Sequence, residues 1–334
     1  MADGDRPDVS GPLLGPDAKP LRPEACEADR EIYTWQANSP YYVPPPTETG
    51  HQKRHQHIID LLIRERAQRL SQSFFWPLYR LTLNGILDYG KAVRMVNEAG
   101  RLNAEDAFAY ASRMLQMDLQ VEGIEHIPAK GPCIICCNHP TGIADGLALH
   151  DVVAQVRDDP IVFVNADAIR LNPRLTEKLI PVEWRDEMKS RAKSRETLKA
   201  TKEAFARERA IIMFPSGRLA WMDENKELQE RPWMSTVANL PKRYKCPIIP
   251  VNLKSRNSWL YYWFNNIDEE LRNMTLFHEL LNKKGQTFDF RIAPPIMPEQ
   301  LRENDEEAAR ELRAYVIEGV RAGQTFEDWR TGGD

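Results

Sequence analysis

The sequence lacks an apolar run long enough to cross a bilayer. A spanning helix needs about 20 consecutive, predominantly apolar residues, and no segment of the 334 residues approaches this. The N-terminus also lacks the basic start and apolar run of a secretory signal. We therefore expect a chain that is kept in a reducing, cytosolic compartment.

An excess of basic residues is also missing. The sequence contains 45 Lys and Arg against 49 Asp and Glu, which gives a formal net charge of −4. A general nucleic-acid binder needs a surplus of positive charge to neutralise phosphates. The composition therefore argues against nucleic acid as a partner.

Cysteine is scarce, and its placement disfavours a metal or redox centre. Three of the five cysteines, Cys133, Cys136 and Cys137, lie within one apolar run. This run predicts a buried strand, whose period of two points Cys133 and Cys136 to opposite faces. Redox C-x-x-C pairs open a helix instead, so we interpret these cysteines as small core residues. His51, His55 and His57 have no accompanying Cys or carboxylate cluster, so a solvated helix start is favoured over a metal site.

Two N-terminal segments differ from the rest of the chain. Residues 1–50 hold nine of the 24 prolines and few aliphatic residues, which predicts a disordered tail. Residues 51–117 predict helices, in which clustered aromatic residues lie beside arginines. A helical element in a membrane interface and a helical cap on the main domain both fit this pattern, and both stay open.

Residues 118–325 alternate between short apolar segments and helical patterns. This alternation predicts an α/β domain, with a mostly parallel sheet flanked by helices and functional loops at the strand ends. The predicted strands are 119–122, 132–137, 160–164, 210–214, 247–252 and 287–292. The predicted helices are 143–157, 187–207, 267–282 and 305–321.

Two helical segments have distinctive surfaces. The helix predicted at 187–207 is rich in Lys and Arg, which would suit anionic lipid or a carrier protein, although a solvated face is the more ordinary explanation. The aromatic run Trp259–Phe264 fits an acyl channel, a membrane contact or core packing equally well.

Candidate catalytic residues follow the second predicted strand. The segment Cys136-Cys-Asn-His-Pro-Thr-Gly-Ile-Ala-Asp-Gly146 places His139 in a Pro/Gly turn at the carboxyl edge of the sheet. Asp145 lies close enough in sequence to fold back onto the imidazole. A carboxylate that fixes the tautomer of a histidine makes a general base. No G-x-S-x-G elbow is present, so His139 would activate a substrate hydroxyl.

A second strand end places an arginine at the same edge. The segment Ala210-Ile-Ile-Met-Phe-Pro-Ser-Gly-Arg218 is a predicted buried strand followed by a Pro/Gly turn. A guanidinium matches the oxygens of an anion with a bidentate fork. Together with His139, Arg218 indicates an alcohol acceptor that bears an anionic group.

These two segments resemble the lysophospholipid and glycerol-phosphate acyltransferase family, whose signatures are N-H-x4-D and F-P-E-G-T-R. The resemblance extends over about residues 118–300. It includes the lead-in Val121–Pro132, the segment Cys246-Pro-Ile-Ile-Pro-Val251 and, more weakly, Ile180-Pro-Val-Glu-Trp-Arg185.

The departures from these signatures point to a divergent, haemolysin-like branch. Five residues instead of four separate His139 from Asp145, and Ser216 stands where the second signature has Glu. A wider turn beside Gly142 would preserve the His–Asp contact. The acceptor head group is then expected to differ from simple glycerol phosphate, with lyso-ornithine or other amino-acid lipids as alternatives.

The resemblance implies a peripheral enzyme at the cytoplasmic face of a membrane. It would acylate a lysolipid with acyl-CoA or acyl carrier protein as co-substrate and without a metal or other cofactor. His139 would be the base and Asp145 its orienting acid, while Gly217 and neighbouring amides would stabilise the oxyanion. Arg218, with Ser216 and Arg185 nearby, would bind the acceptor.

Two alternatives stay open at this point. A thioesterase that transfers the acyl group to water would use the same His–Asp pair. A lipid-binding protein that has the fold without catalysis is also compatible with the altered spacing.

Overall fold

The computed structural model describes residues 57–183 and 188–332. Within these ranges the strands are β1 Asp118–Glu122, β2 Cys133–Cys137, β3 Ile161–Asn165, β4 Leu179–Val182, β5 Ala210–Met213, β6 Trp221–Met222, β7 Leu228–Gln229, β8 Ile248–Lys254 and β9 Thr287–Ile292. The predicted tail at 1–50, together with His51, His55 and Arg185, lies outside the described residues.

A seven-stranded sheet has the order β1-β9-β8-β2-β5-β3-β4, and β6 and β7 form a separate hairpin. The five strands from β8 to β4 run parallel to one another. β9 is antiparallel to β8 and parallel to β1. The predicted mostly parallel α/β fold is confirmed, and each predicted strand is present. The sequence interpretation missed β4, which is short and contains Pro181, and the two-residue strands of the hairpin.

The helices lie on both faces of this sheet. Their bounds are α1 Ile58–Arg66, α2 Gln68–Ser71, α3 Trp76–Ile86, α4 Tyr89–Ala99, α5 Ala104–Leu115, α6 Ile143–Ala154, α7 Asp167–Leu171, α8 Arg191–Ala206, α9 Thr236–Tyr244, α10 Trp259–Ile267, α11 Glu269–Met274, α12 Leu276–Leu281, α13 Asp305–Ile317 and α14 Phe326–Thr331.

One predicted helix is wrong in detail. The segment 267–282 is broken into α11 and α12, and α10 precedes them. The Asp268 side chain accepts from the Glu270 amide and so starts α11 near the predicted position. The break comes at Thr275, whose amide and hydroxyl both donate to the Arg272 carbonyl, at 3.0 and 2.7 Å, and so end α11. A side-chain hydroxyl that bonds to a nearby carbonyl competes with a continuous helix.

The core lies in two layers, and β2 contributes to both. Cys133, Ile135 and Cys137 face one layer, whereas Ile134 and Cys136 face the other. This alternation follows the period of two in a strand. It confirms that Cys133 and Cys136 point to opposite faces, where they are buried as small apolar residues.

Helices α1, α4 and α5 cover the first of these layers. Ile58 and Leu62 of α1 and Ala92 and Met95 of α4 belong to the same core cluster as the sheet. Part of the N-terminal element therefore forms a cap. No helix in the described ranges has the length and apolar character needed to traverse a bilayer.

Candidate active site

His139 lies directly beyond the carboxyl end of β2. The preceding Asn138 fixes the turn to β8, since its Nδ2 donates to the Leu253 carbonyl at 2.9 Å and its Oδ1 accepts from the Leu253 amide at 2.7 Å. The His139 ring stacks on Phe214, with centroids 4.4 Å apart. Its side chain remains 17% exposed, so the imidazole is held in place but accessible.

Asp145 is fully buried in the first turn of α6 and faces this imidazole. Its Oδ2 is 2.9 Å from His139 Nδ1 and accepts from the amides of Thr141 and Gly142 at 2.8 and 2.9 Å. Its Oδ1 accepts from the Thr141 hydroxyl. These hydrogen bonds compensate the buried carboxylate for its lost hydration.

The extra residue between His139 and Asp145 is accommodated at Gly142. Gly142 precedes α6 with φ of 99° and ψ of −125°. Glycine adopts this conformation readily, whereas residues with a Cβ strongly disfavour it. A Cβ there would lie 3.1 Å from Leu219, in the turn that follows β5. The two strand-end turns also meet through the Ala220 amide, which donates to the His139 carbonyl at 2.9 Å.

The turn after β5 contains the other predicted site residues. The Ser216 hydroxyl is buried and donates to the Arg218 carbonyl at 2.8 Å, and the Gly217 amide donates to the Phe214 carbonyl at 3.0 Å. Both groups therefore shape the turn itself in this conformation. Arg218 is exposed at the rim. The predicted roles of Ser216 in substrate binding and Gly217 in oxyanion stabilisation stay predictions, as does that of Arg185.

Two residues of this site, Glu230 and Trp233, were not expected from the sequence. Glu230 is 91 residues from His139 in the chain, yet its buried Oε2 accepts from the His139 amide at 3.1 Å. Its Oε1 accepts from the Trp233 indole at 3.1 Å. The segment Glu230-Arg-Pro-Trp233 lies outside both acyltransferase signatures. The feature that could have indicated a role for it is an acidic residue near a Pro and a Trp.

The geometry defines what the His139 ring can do. Because Asp145 is bonded at Nδ1, that nitrogen holds the proton and Nε2 keeps its lone pair. A neutral imidazole of this kind can remove a proton from a hydroxyl, and the adjacent carboxylate then stabilises the imidazolium. Within residues 57–183 and 188–332 no group of three or more His, Cys, Asp or Glu side chains is arranged to hold a metal ion.

Comparison with known proteins shows what this arrangement is similar to. A family model described as Acyltransferase matches residues 118–254, which include both strand-end turns. The matched range covers 137 of the 334 residues, and this part of the chain is similar to acyltransferases.

Both curated relatives are named lyso-glycine lipid O-acyltransferase. The protein from Phocaeicola vulgatus is 27% identical over 188 residues, which cover 54% of this chain and 65% of the relative. The protein from Bacteroides thetaiotaomicron is 23% identical over 245 residues, which cover 71% of this chain and 87% of the relative. This chain thus spans slightly less than two thirds of the first relative.

A solved structure is also similar to this chain. It is the 1-acyl-sn-glycerophosphate (LPA) acyltransferase PlsC from Thermotoga maritima, with a TM-score of 0.40 and 15% sequence identity. The match covers 78% of this chain and 97% of that one.

Proposed function

We propose that this protein is an O-acyltransferase that moves a fatty acyl group from a thioester to the hydroxyl of a lysolipid. The observation that supports this most strongly is the contact between the accessible His139 ring and buried Asp145 at the carboxyl edge of the sheet. The names of the relatives support the same class of acceptor.

In the proposed reaction, His139 Nε2 removes the proton of the acceptor hydroxyl while that oxygen attacks the thioester carbonyl. A new C–O bond forms, and backbone amides of the turn after β5 stabilise the negative charge on the carbonyl oxygen. The tetrahedral intermediate then expels the thiolate, which takes the proton from His139. The products are an ester and a free thiol, and the imidazole is neutral again.

The acceptor is proposed to be an amino-acid lipid with an anionic head group. Arg218 is exposed at the rim, where a carboxylate as well as a phosphate matches its guanidinium fork. Ser216 replaces the signature carboxylate and is turned into the protein. The names of the curated relatives, which specify a glycine lipid, support this choice. Arg185 is proposed as a second contact to the same head group.

The donor is proposed to be acyl-CoA or an acyl carrier protein, both of which are anionic. Helix α8 packs against β4, with the Thr197 hydroxyl donating to the Pro181 carbonyl at 2.7 Å. Arg191, Arg195 and Lys202 are exposed at spacings of four and seven residues and so share one face. This basic face supports an anionic donor that approaches from the β4 side.

The membrane surface is proposed to contact an aromatic face formed by two helices. Trp76 of α3 and Phe264 of α10 are buried in one small cluster, whereas neighbouring large apolar side chains are exposed. We define the aromatic face by these exposed residues: Phe74, Phe75, Leu78, Leu81 and Ile86 in and before α3, and Trp259, Trp263 and Ile267 of α10. Such a surface favours a peripheral position on the cytoplasmic face of a membrane.

The acceptor class can be tested with the purified full chain. Oleoyl-CoA and an oleoyl carrier protein are each incubated with vesicles that contain lyso-glycine lipid, lyso-ornithine lipid or lysophosphatidic acid, and the lipids are identified by mass spectrometry. We expect a diacylated product, formed fastest from an amino-acid lipid. If no acceptor is acylated by either donor, the proposed function is wrong.

A further inference from the structure

Glu230 occupies an unusual position behind the catalytic turn. It lies just after β7, and its carboxylate is almost completely buried. One oxygen accepts from the His139 backbone amide and the other from the Trp233 indole, both at 3.1 Å. Arg313 of α13 donates to the Glu230 carbonyl from Nε at 3.1 Å, which fixes the Glu230 backbone. The carboxylate is thus held against the histidine turn.

This burial is unfavourable for folding. Both N–H donors are neutral, and neutral donors compensate a buried charge only in part. Accordingly, burial raises the pKa of Glu230 above its ordinary value, although the hydrogen bonds from His139 and Trp233 act in the opposite direction. A glutamine would fill the same space without a charge. The cost of the carboxylate therefore suggests a role beyond packing.

The neighbouring turn lacks a carboxylate at the position where the acyltransferase signature has one. Ser216 stands there, and its hydroxyl, which donates to the Arg218 carbonyl, lies close enough to the Glu230 carboxyl group to act against the rise of that group's pKa. Glu230 thus brings a carboxylate from a different segment of the chain to the turn after β5.

We propose that Glu230 is a positioning residue that anchors the His139 backbone and stabilises the imidazolium formed during acyl transfer. The proposal rests on the general-base function of His139. Asp145 holds the ring through Nδ1, while Glu230 holds the amide of the same residue. The two carboxylates therefore fix the histidine at two points. The negative charge of Glu230 also favours a positive ring, because the two groups interact electrostatically.

The first test compares Glu230→Gln with Glu227→Gln in the full chain. Glu227 is exposed in the same hairpin region, so its variant controls for a general loss of charge. For Glu230→Gln we expect kcat to fall about 10- to 100-fold, the range for a misplaced catalytic group, with both KM values within twofold. The acid limb of the kcat profile should move to lower pH, since an amide no longer favours the imidazolium.

Equal kcat and pH profiles for the two variants would overturn the proposal. If the wild-type chain transfers acyl groups while Glu230→Gln is indistinguishable from it, only this inference fails and the proposed function stands. A rise in KM without a change in kcat would also overturn it, because a positioning role acts on the chemical step.

A second measurement does not require activity. In the wild-type chain labelled with ¹⁵N and ¹³C, the amide resonance of His139 should show a shift with the same midpoint as the carboxyl resonance of Glu230, and Glu230→Gln should abolish this shift alone. Absence of the shift in the wild-type chain would overturn the proposal even if no acceptor were found.

The double variant Glu230→Gln/Ser216→Glu tests whether position 216, in the turn after β5, can supply the carboxylate in place of Glu230. We expect kcat of this double variant to be at least threefold higher than that of Glu230→Gln.

Glu230→Asp keeps the negative charge but shortens the side chain, so its pH profile should stay close to that of the wild type while kcat falls. An Asp variant with the pH profile of Glu230→Gln would contradict the electrostatic part.

Discussion

The turn around His139 and the aromatic face depart in opposite ways from the usual burial of apolar side chains and exposure of polar ones. At the turn, polar groups are buried: Asp145 and Glu230 are almost fully shielded from water. On the aromatic face, large apolar side chains remain in solvent, with Phe74 92% exposed and Trp259 70% exposed. In each region the side chains would be more stable in the other environment.

The two regions also differ in how they are held. The buried turn is fixed by hydrogen bonds from three chain segments, which restrict the His139 ring and backbone. The exposed rings of the aromatic face lie over the small apolar cluster of Trp76 and Phe264, and Trp259 stacks on Trp263. Fixed polar geometry suits chemistry, whereas an exposed apolar surface suits a partner that is itself apolar. Each substitution predicted below changes one region and leaves the other unaltered, and a final prediction tests the core beneath the His139 turn.

The largest expected effect is that of His139→Ala. Loss of the base should lower kcat about 10³- to 10⁴-fold, at the upper end of the range for general-base catalysis, without changing vesicle binding. His126→Ala is the matched control, because the His126 ring is bonded through Nδ1 to the Ile292 carbonyl of β9 and not to a carboxylate. Acyl transfer and vesicle co-sedimentation are measured on the same preparations. Activity of His139→Ala within tenfold of the wild type would exclude the proposed base.

Asp145→Asn should have the next largest effect on activity. The amide carries no negative charge to stabilise the imidazolium, and its NH₂ group cannot accept from the Thr141 hydroxyl as Oδ1 does, so we expect kcat to fall about 10²- to 10³-fold. Loss of acceptors in a buried position should lower the free energy of unfolding by about 1 to 3 kcal/mol. Urea unfolding and kinetic assays measure the two effects.

Asp151→Asn on the same helix is the control for Asp145→Asn, because its side chain is partly exposed. Equal activity of the two variants would show that the His–Asp contact is not used in catalysis.

Replacing Phe74 and Trp259 by Ser tests the other region. Each exposed ring that enters a bilayer contributes about 1.5 to 3 kcal/mol, so the double variant should bind vesicles at least about 100-fold more weakly than the wild type. Folding should be unaffected, since both side chains are already in water. Leu198→Ser on α8 is the control, because Leu198 is exposed outside the aromatic face. Unchanged vesicle binding of the double variant would remove the aromatic face as the membrane contact.

A smaller effect is expected for Arg218→Ala. If the guanidinium binds the anionic head group, the KM of the acceptor should rise about tenfold, as expected for loss of one charge-assisted hydrogen bond. The KM of the donor should stay the same. Lys226→Ala, in the exposed hairpin that follows, is the control. An unchanged acceptor KM would remove Arg218 from the binding site.

The smallest effect is expected for thiol reagents. Burial raises the pKa of Cys133 to about 12 and that of Cys246 to about 11, and it also raises those of Cys136 and Cys137. A raised thiol pKa leaves little reactive thiolate near pH 8. Iodoacetamide should therefore leave the folded enzyme active, and these four cysteines should be modified only after unfolding. Rapid modification of Cys136 or Cys137 in the folded chain would contradict the packing of β2.

The sequence predicts the local parts of this protein well. The strand β2 and the turn that contains His139 follow from an apolar run and a Pro/Gly pair, which depend on neighbouring residues alone. The spacing between His139 and Asp145 is also local, so their proximity could be inferred before the structure was known. The splitting of 267–282 could not, because it depends on whether the Thr275 hydroxyl bonds to the Arg272 carbonyl or faces solvent.

The contribution of Glu230 could not be predicted for a different reason. Its contact with His139 joins segments 91 residues apart, and its sequence surroundings resemble an ordinary polar loop. Likewise, the aromatic run at 259–264 does not reveal which rings are buried. Tyr262 and Phe264 are buried while Trp259 and Trp263 are exposed, a division that is set by packing against α3 and α11.

The central claim is that His139 directs an acyl group onto a lipid hydroxyl. The most direct test measures, in one reaction with acyl-CoA and lyso-glycine lipid vesicles, the free CoA released and the acylated lipid formed. The account predicts one molecule of acylated lipid for each CoA released by the wild-type chain, and neither product above background for His139→Ala. Release of CoA with free fatty acid in place of acylated lipid would contradict it and identify a thioesterase.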